Sequence, residues 1–315
     1  MHTQDQAVLQ QALTWCQSNQ TAWLCTIVET IGASPRPRGS MLVCNAQGHT
    51  AGSLSGGCVE EDLVARLGNG EIDTSCPQLL DYGVTAEENE RFGLPCGGRL
   101  RILVQALVQS DSNWLEQASA AVSERRCLLR TVSIKSGETR VKSVGRYTEL
   151  SVTQDTLSQC FGPQMRMLLV GAGQLAQSLA ELALAMDYQV MVTDPRPEVL
   201  AQWPGPEVEL IQGMPDDVVL AHAADRFAIV ITLTHDPRID DMALMEALAT
   251  EAWYVGALGS QRTTDKRLQR LRALDVAEAH IERLHAPVGL PIGSKTPLEI
   301  AVAIMAEITG LRRNR

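Results

Sequence analysis

The feature that most constrains the fold is a glycine motif, Gly171-Ala172-Gly173, between an apolar run and a helix-forming run. Residues 165–170 are predicted to form a buried strand and residues 174–186 a helix. The first glycine permits a tight turn, and the second lets backbone amides approach a diphosphate. Ala176 completes the Gly-x-Gly-x-x-Ala pattern and allows close packing of the helix on the strand. The segment therefore predicts a nucleotide-binding loop of Rossmann type.

Strands and helices alternate after this motif. Further strands are predicted at 190–193, 207–211, 228–233 and 253–257, and helices at 215–223, 239–249, 263–273 and 297–309. This alternation is typical of a parallel sheet with right-handed crossovers. We therefore predict a Rossmann-type domain over residues 164–315.

Polar residues at strand ends are candidates for ligand contacts, because ligands bind at the carboxyl edge of such sheets. Asp194 ends the second predicted strand, where a carboxylate accepts hydrogen bonds from ribose hydroxyls. Arg196 is a candidate for a phosphate contact, or else a surface arginine in a turn. His235 stands beside Asp236 and is either a general base or part of a helix-capping loop. Gln174 joins this set as the first helical residue after the glycine loop.

The first half of the chain has a mixed pattern of helices and strands. Helices are predicted at 5–18, 60–67 and 114–124, and strands at 23–30, 41–44, 100–107, 127–134 and 140–144. We predict an α+β domain over residues 1–155. The polar segment 151–164, with its Gly162-Pro163 break, is predicted to be a linker. The fold class is therefore α/β, an N-terminal α+β domain followed by a C-terminal Rossmann-type domain.

Three glycine-rich loops in this first domain hold its candidate functional residues. They are Arg36 and Arg38 in the first loop, Gly56, Gly57 and Cys58 in the second, and Cys96, Gly97 and Gly98 in the third. A thiol at a helix N-terminus is stabilised as a thiolate, which is a nucleophile or a ligand for a soft metal. Either cysteine alone is more typical of a structural residue. Two of them in two Gly-Gly loops favour a shared site, and the arginines are either anion contacts or solvated turn residues.

Composition excludes several classes of protein. The formal net charge of −10 and the lack of a dense Lys/Arg patch argue against nucleic-acid binding. No apolar run is long enough for a membrane span. The first residues do not resemble a signal peptide, so the expected location is the cytoplasm, where the eight cysteines would be thiols. No Cys/His spacing typical of zinc sites is present.

Several motifs together resemble the XdhC/CoxI family, the xanthine dehydrogenase accessory proteins. The matching segments are 32–41, 52–60, 93–98, 170–174, 194–196, 254–260, 285–290 and 296–301. The resemblance implies a two-domain maturation chaperone, rather than an enzyme with its own turnover. It implies binding of molybdenum cofactor, as molybdopterin or its cytosine dinucleotide. Cys58 and Cys96 are then the residues that would contact the cofactor, through molybdenum or its sulfur ligand.

The same resemblance implies several partners. The apoprotein of a xanthine dehydrogenase-type or aldehyde oxidoreductase-type molybdoenzyme would receive the cofactor, and a cysteine desulfurase would supply sulfur. A homodimer is compatible with the resemblance, although no surface pattern in the sequence indicates it.

Two other functions fit parts of the sequence. The glycine motif with Asp194 also fits an NAD(P)-dependent oxidoreductase, and the carboxylate would favour NAD over NADP. A scaffold for apoenzyme assembly, with both loop systems unused, is the third hypothesis.

Overall fold

A computed structural model describes residues 3–32, 36–93 and 98–313, with the backbone alone described at residues 3 and 4. The chain divides into two compact units, Met1–Pro163 and Gln164–Arg315. Among the described residues, no helix has the length and apolar character needed to cross a membrane.

The first unit combines helices with two antiparallel sheets. Its helices are α1 (Thr3–Gln17), α2 (Cys58–Gly68), α3 (Ala86–Arg91) and α4 (Ser112–Ser123). Its strands are β1 (Ala22–Ile31), β2 (Met41–Asn45), β3 (Thr50–Gly52), β4 (Gln78–Tyr82), β5 (Arg99–Leu107), β6 (Cys127–Ser133), β7 (Thr139–Val144), β8 (Ser151–Val152) and β9 (Thr156–Phe161). The sheets run β3-β2-β1-β5-β4 and β7-β6-β9-β8.

Helices cover both faces of the five-stranded sheet, which explains why β1 is a continuous apolar run rather than an alternating one. Ala22 and Leu24 pack on the side of α1 and α4. Trp23, Cys25 and Ile27 pack on the opposite side, against the apolar face of α2.

The predicted linker is wrong over much of its length. Residues 156–161 form β9, which pairs antiparallel with β6 from Leu128↔Phe161 to Ser133↔Thr156. Alternate residues of β6 are buried, so its sheet presents one face to the core and one to solvent. Thr156 and Ser158 of the predicted linker lie on the more exposed face of this sheet, whereas Gln159 is buried and accepts a hydrogen bond from Arg130.

The second unit is a six-stranded parallel sheet with helices on both faces. Its strands are β10 (Arg166–Val170), β11 (Gln189–Asp194), β12 (Glu209–Gln212), β13 (Ala228–Thr232), β14 (Tyr254–Ala257) and β15 (Leu284–His285). Its helices are α5 (Gln174–Ala185), α6 (Pro197–Leu200), α7 (Pro215–His222), α8 (Pro237–Ala249), α9 (Gln261–Ala273), α10 (Glu278–Ile281) and α11 (Pro297–Arg313).

The strand order is β12-β11-β10-β13-β14-β15, which is the 3-2-1-4-5-6 order of dinucleotide-binding sheets. One face packs on α5 and α11, and the other on α7, α8 and α9. The order reverses between β10 and β13, so a crevice is expected where these two strands end. The predicted fold class is confirmed, including the N-terminal α+β unit.

Candidate functional site

The glycine loop after β10 has the geometry of a nucleotide loop. Gly171 is buried, has φ +109°, and donates its amide to the Thr193 carbonyl at 2.7 Å. A Cβ at this position would lie 2.7 Å from the Cγ2 atom of Thr234 and 3.2 Å from its backbone nitrogen. The turn therefore requires glycine, both for its backbone angle and for its close approach to the end of β13.

Gly173 leaves open space in front of the first backbone amides of α5. It caps the N-terminus of α5 with φ −91°, and a Cβ there would have no atom within 4 Å among the described residues. The first turn of α5 holds no acidic residue, and within the described chain no side chain caps it. Its amides and the positive end of the helix dipole are thus available to an anion. Gln174 is exposed at the first helical position.

Asp194 has a structural partner that the sequence analysis missed. Its side chain is fully buried, and its two oxygens accept from Nε and Nη2 of Arg196, both at 2.8 Å. They also accept from the amides of Ala172 and Arg196. Burial alone would raise the pKa of Asp194, but these bonds outweigh it and lower the pKa. A ribose contact by Asp194 would require Arg196 to release it, and the predicted contact stays a prediction.

The Asp194 carboxylate instead holds Arg196 at the carboxyl edge of the sheet. The arginine side chain is 45% exposed, and its Nη1 atom makes no hydrogen bond within the described part of the chain. A guanidinium fixed on one side and open on the other is suited to binding a phosphate oxygen. The predicted phosphate contact of Arg196 stays a prediction.

His235 lies in the loop after β13, and the neighbouring Asp236 caps α8 rather than contacting the imidazole. Asp236 caps α8 by accepting from the Arg238 amide at 2.9 Å, and it also pairs with the Arg238 side chain. That arginine lowers the pKa of Asp236 to about 2. His235 is exposed, and in the described structure Asp236 makes no hydrogen bond to it. The loop has the helix-capping arrangement rather than a His–Asp dyad.

The second glycine loop is organised around a carboxylate. The Glu60 side chain accepts hydrogen bonds from the hydroxyls of Ser53 and Ser55 and from the amides of residues 54–57. The four amide distances range from 2.6 Å to 3.1 Å. Burial would raise the pKa of Glu60, but these bonds lower it to about 2. We call residues 53–57 with the Glu60 carboxylate the Glu60 cage.

The cage changes how Gly56 and Gly57 are understood. We named both glycines as candidate functional residues, and in the structure their amides donate to Glu60. A phosphate could reach these amides only by displacing a carboxylate with six donors. A glutamate three residues after the helix cap is a known sequence signal for such a contact. It was present in Ser-Gly-Gly-Cys-Val-Glu and was missed.

Cys58 is the first residue of α2, directly after the Glu60 cage. Of the seven cysteines that the structure describes, it is the exposed one, whereas Cys76 is half-buried and the other five are buried. Among the described cysteines, Cys58 is thus the exposed thiol, and it stands at the first position of a helix. Cys96 and Gly97 lie outside the described residues, and Gly98, which follows them, is buried. The predicted shared site of the two cysteines stays a prediction.

The two arginines of the first loop are both engaged. Arg38 donates from Nε to the Val28 carbonyl at 2.9 Å and from Nη2 to the Leu150 carbonyl at 3.4 Å. Arg36 is half-buried and also has a partner. Arg38 therefore ties its own loop to two other segments of the unit, and its predicted anion contact stays a prediction.

The fold and these sites define a class of protein: an α/β chain with a nucleotide-type loop in one unit and an exposed thiol beside a glycine loop in another. Two family models match it, the XdhC Rossmann domain over residues 167–308 and the XdhC and CoxI family over residues 15–83. The chain belongs to the XdhC/CoxI family.

Relatives match over nearly the full chain. A probable xanthine dehydrogenase subunit from Bacillus subtilis is 26% identical, with 94% of this chain and 95% of that protein aligned. The molybdenum cofactor insertion chaperone PaoD from Escherichia coli is also 26% identical, with 97% of this chain and 88% of that protein aligned. A crystal structure described as a xanthine dehydrogenase from Bacillus halodurans has a TM-score of 0.75 at 22% identity, covering 98% and 96% of the two chains, and shares the fold.

Proposed function

We propose that this protein binds molybdenum cofactor and assists its insertion into a molybdoenzyme of the xanthine dehydrogenase or aldehyde oxidoreductase type. The observation that carries the proposal is Cys58, an exposed thiol held at the start of α2 by the Glu60 cage. A thiolate suits molybdenum or its terminal sulfur. The similarity to PaoD over 97% of the chain supports the same role.

The second unit supports a nucleotide-bearing form of this cargo. Molybdopterin carries a phosphate, and its cytosine dinucleotide carries a diphosphate. The open N-terminus of α5 and the exposed face of Arg196 are two groups suited to such phosphates. Sulfuration of the cofactor with a cysteine desulfurase as sulfur source, and a homodimeric state, belong to the same proposal.

Replacing Cys58 tests the role of the thiol. We expect Cys58→Ala to lower the molybdenum that co-purifies from a molybdate-fed host by about tenfold or more, since even residues behind a metal ligand contribute ten- to a hundredfold. Elemental analysis measures the metal, and mass spectrometry identifies the cofactor form. Cys76→Ala, which removes a half-buried thiol, is the matched control. Equal molybdenum in wild type and Cys58→Ala would remove Cys58 from the proposal.

An NAD(P)-dependent oxidoreductase is the second candidate, because the strand order and the turn at Gly171 are those of dinucleotide-binding domains. Against it, both Asp194 oxygens are already occupied by Arg196 and backbone amides. Fluorescence titration with NADH separates the two functions. Binding at physiological concentrations would favour the oxidoreductase, and its absence would end that hypothesis.

A further inference from the structure

A carboxylate–histidine pair lies in the second unit, in segments to which the proposed function assigns no role. The Nδ1 atom of His285, in β15, is 2.7 Å from Oε1 of Glu307, in α11. The other Glu307 oxygen accepts from the Gly289 amide at 2.6 Å. Burial would raise the pKa of Glu307, but these two bonds lower it. An ionised carboxylate only accepts hydrogen bonds, so Nδ1 carries the proton and donates it.

The remaining ring nitrogen is therefore the reactive one. Nε2 of His285 makes no hydrogen bond in the described part of the chain, and the His285 side chain is 33% exposed, against 16% for Glu307. An imidazole oriented through Nδ1 presents Nε2 as a defined binding or proton-accepting atom.

Three separate segments fix this orientation. The Tyr254 ring stacks on the His285 ring with centroids 4.3 Å apart and an interplanar angle of 20°. A Cβ at Gly256 would lie 2.8 Å from Cε1 of Tyr254, so the glycine makes room for that ring. Gly289 has φ +97°, and a Cβ there would lie 3.1 Å from the Ile304 nitrogen, so this glycine lets its amide reach Glu307.

Two polar groups lie next to His285, the buried Tyr254 hydroxyl and the half-buried Glu307 carboxylate. The Tyr254 hydroxyl is buried beside the Glu307 carboxylate, which interacts with it as well as with His285. Burial and the Glu307 charge raise the pKa of Tyr254. Burying a carboxylate opposes folding, so an arrangement that keeps Glu307 and the Tyr254 hydroxyl beside a partly exposed imidazole points to a ligand.

The topology places this pair in the half of the sheet beyond the nucleotide loop. His285 pairs with Gly256, one residue before the end of β14, and β15 follows β13 and β14 in strand order. Three strand spacings separate β10 from β15, about 14 Å at roughly 4.8 Å each. A sheet of this order is built from two halves, each of which takes one half of a dinucleotide. A ligand with its diphosphate at Gly173 would extend its second half over β13–β15.

We propose that His285, held by Glu307 and Tyr254, binds the non-nucleotide half of a dinucleotide-type ligand through Nε2. The ligand class is a head group with an exchangeable proton that Nε2 can accept, joined to a nucleotide through a diphosphate. The inference rests on the proposed function, and it adds a contact for the pterin half of the cargo.

Substitutions that separate the two ring nitrogens test the proposal. In His285→Asn the amide nitrogen takes the place of Nδ1 and keeps the Glu307 bond, whereas Nε2 is lost. His285→Gln is the matched counterpart, because its amide oxygen can take the place of Nε2 as the acceptor. Titrations of the full-length protein use two probes, cytidine diphosphate and the cytosine dinucleotide form of the molybdenum cofactor.

We expect His285→Asn to weaken binding of the dinucleotide cofactor by up to about tenfold, the effect of one lost hydrogen bond. Its affinity for cytidine diphosphate and its melting temperature should match those of wild type, and His285→Gln should recover part of the cofactor affinity. Unchanged cofactor binding in His285→Asn, or an equal loss of affinity for both probes, would overturn the inference about His285 and leave the proposed function standing. A wild-type protein that binds no cofactor would overturn the proposed function as well.

A measurement on wild type covers the case in which His285→Asn does not fold. Diethyl pyrocarbonate modifies accessible imidazole nitrogens, and peptide mass spectrometry reports the modification of His285. The dinucleotide cofactor should protect His285 at least threefold more than cytidine diphosphate does. Equal protection by the two probes would contradict the proposed contact.

Discussion

Glu60→Gln is expected to destabilise the first unit and to disorder the loop that presents Cys58. The carboxylate accepts from six donors, whereas an amide offers one oxygen and places an NH₂ group against the remaining N–H donors. Backbone amides left without acceptors cost about 1–3 kcal/mol each when buried. Because the Glu60 cage is partly exposed, we expect a total loss of about 2 kcal/mol in the free energy of unfolding.

The dependence of this loss on pH identifies the carboxylate as its cause. The pKa of Glu60 is about 2 in the folded protein, against an ordinary value of 4.5. A carboxyl group with a lowered folded pKa stabilises the protein fully above its unfolded pKa and loses that effect as pH falls towards the folded value. The stability difference between wild type and Glu60→Gln should therefore be constant above about pH 5.5 and shrink between about pH 4.5 and pH 2.

Two measurements check this expectation. Urea unfolding followed by circular dichroism gives the stability, and the alkylation rate of Cys58, read by peptide mass spectrometry, reports its loop. Glu61→Gln is the matched control, because Glu61 is the next residue of the same helix turn and is exposed. A stability difference that does not change down to pH 2.5, or equal alkylation rates in wild type and Glu60→Gln, would show that the cage does not position the thiol.

The second unit was predictable from sequence because its signals are strong and local. Buried parallel strands such as β10 and β13 are continuous apolar runs. Each is followed by a helix, whose apolar residues recur with the period of an α-helix. The predicted bounds of these strands agree with the structure within one or two residues. The two-residue strand β15 was missed, because a segment of that length carries no periodicity.

Contacts between distant segments were not predictable in the same way. Tyr254, His285 and Glu307 come together only because β14 and β15 are neighbours and α11 packs over that face. Asp194 was predicted to be a ribose ligand from its position after a strand, and its ion pair with Arg196 depends on the turn that follows. Sequence motifs located the loops correctly, but the hydrogen-bond partners inside each loop required the structure.

Alanine at Gly171 and alanine at Gly173 should have opposite effects, and together they test the nucleotide loop. The backbone of Gly171 has φ +109°, and an added Cβ would lie 2.7 Å from the Cγ2 atom of Thr234. We therefore expect Gly171→Ala to lower the free energy of unfolding of the second unit by about 2–4 kcal/mol. At Gly173 the backbone angle is ordinary and the surrounding space is open. Gly173→Ala should therefore retain wild-type stability.

Gly173→Ala should lose ligand binding instead, because its methyl group occupies the space through which a diphosphate approaches the first amides of α5. We expect its affinity for cytidine diphosphate to fall by about tenfold or more, since displacing the phosphate by even 1 Å lengthens charge-assisted hydrogen bonds that contribute about 1.5–3 kcal/mol each. Calorimetric titration measures the affinity, and a thermal melt confirms the fold. A stable Gly173→Ala variant with wild-type affinity would mean that the diphosphate lies elsewhere, and that the turn at Gly171 serves only the packing of β10 against the end of β13.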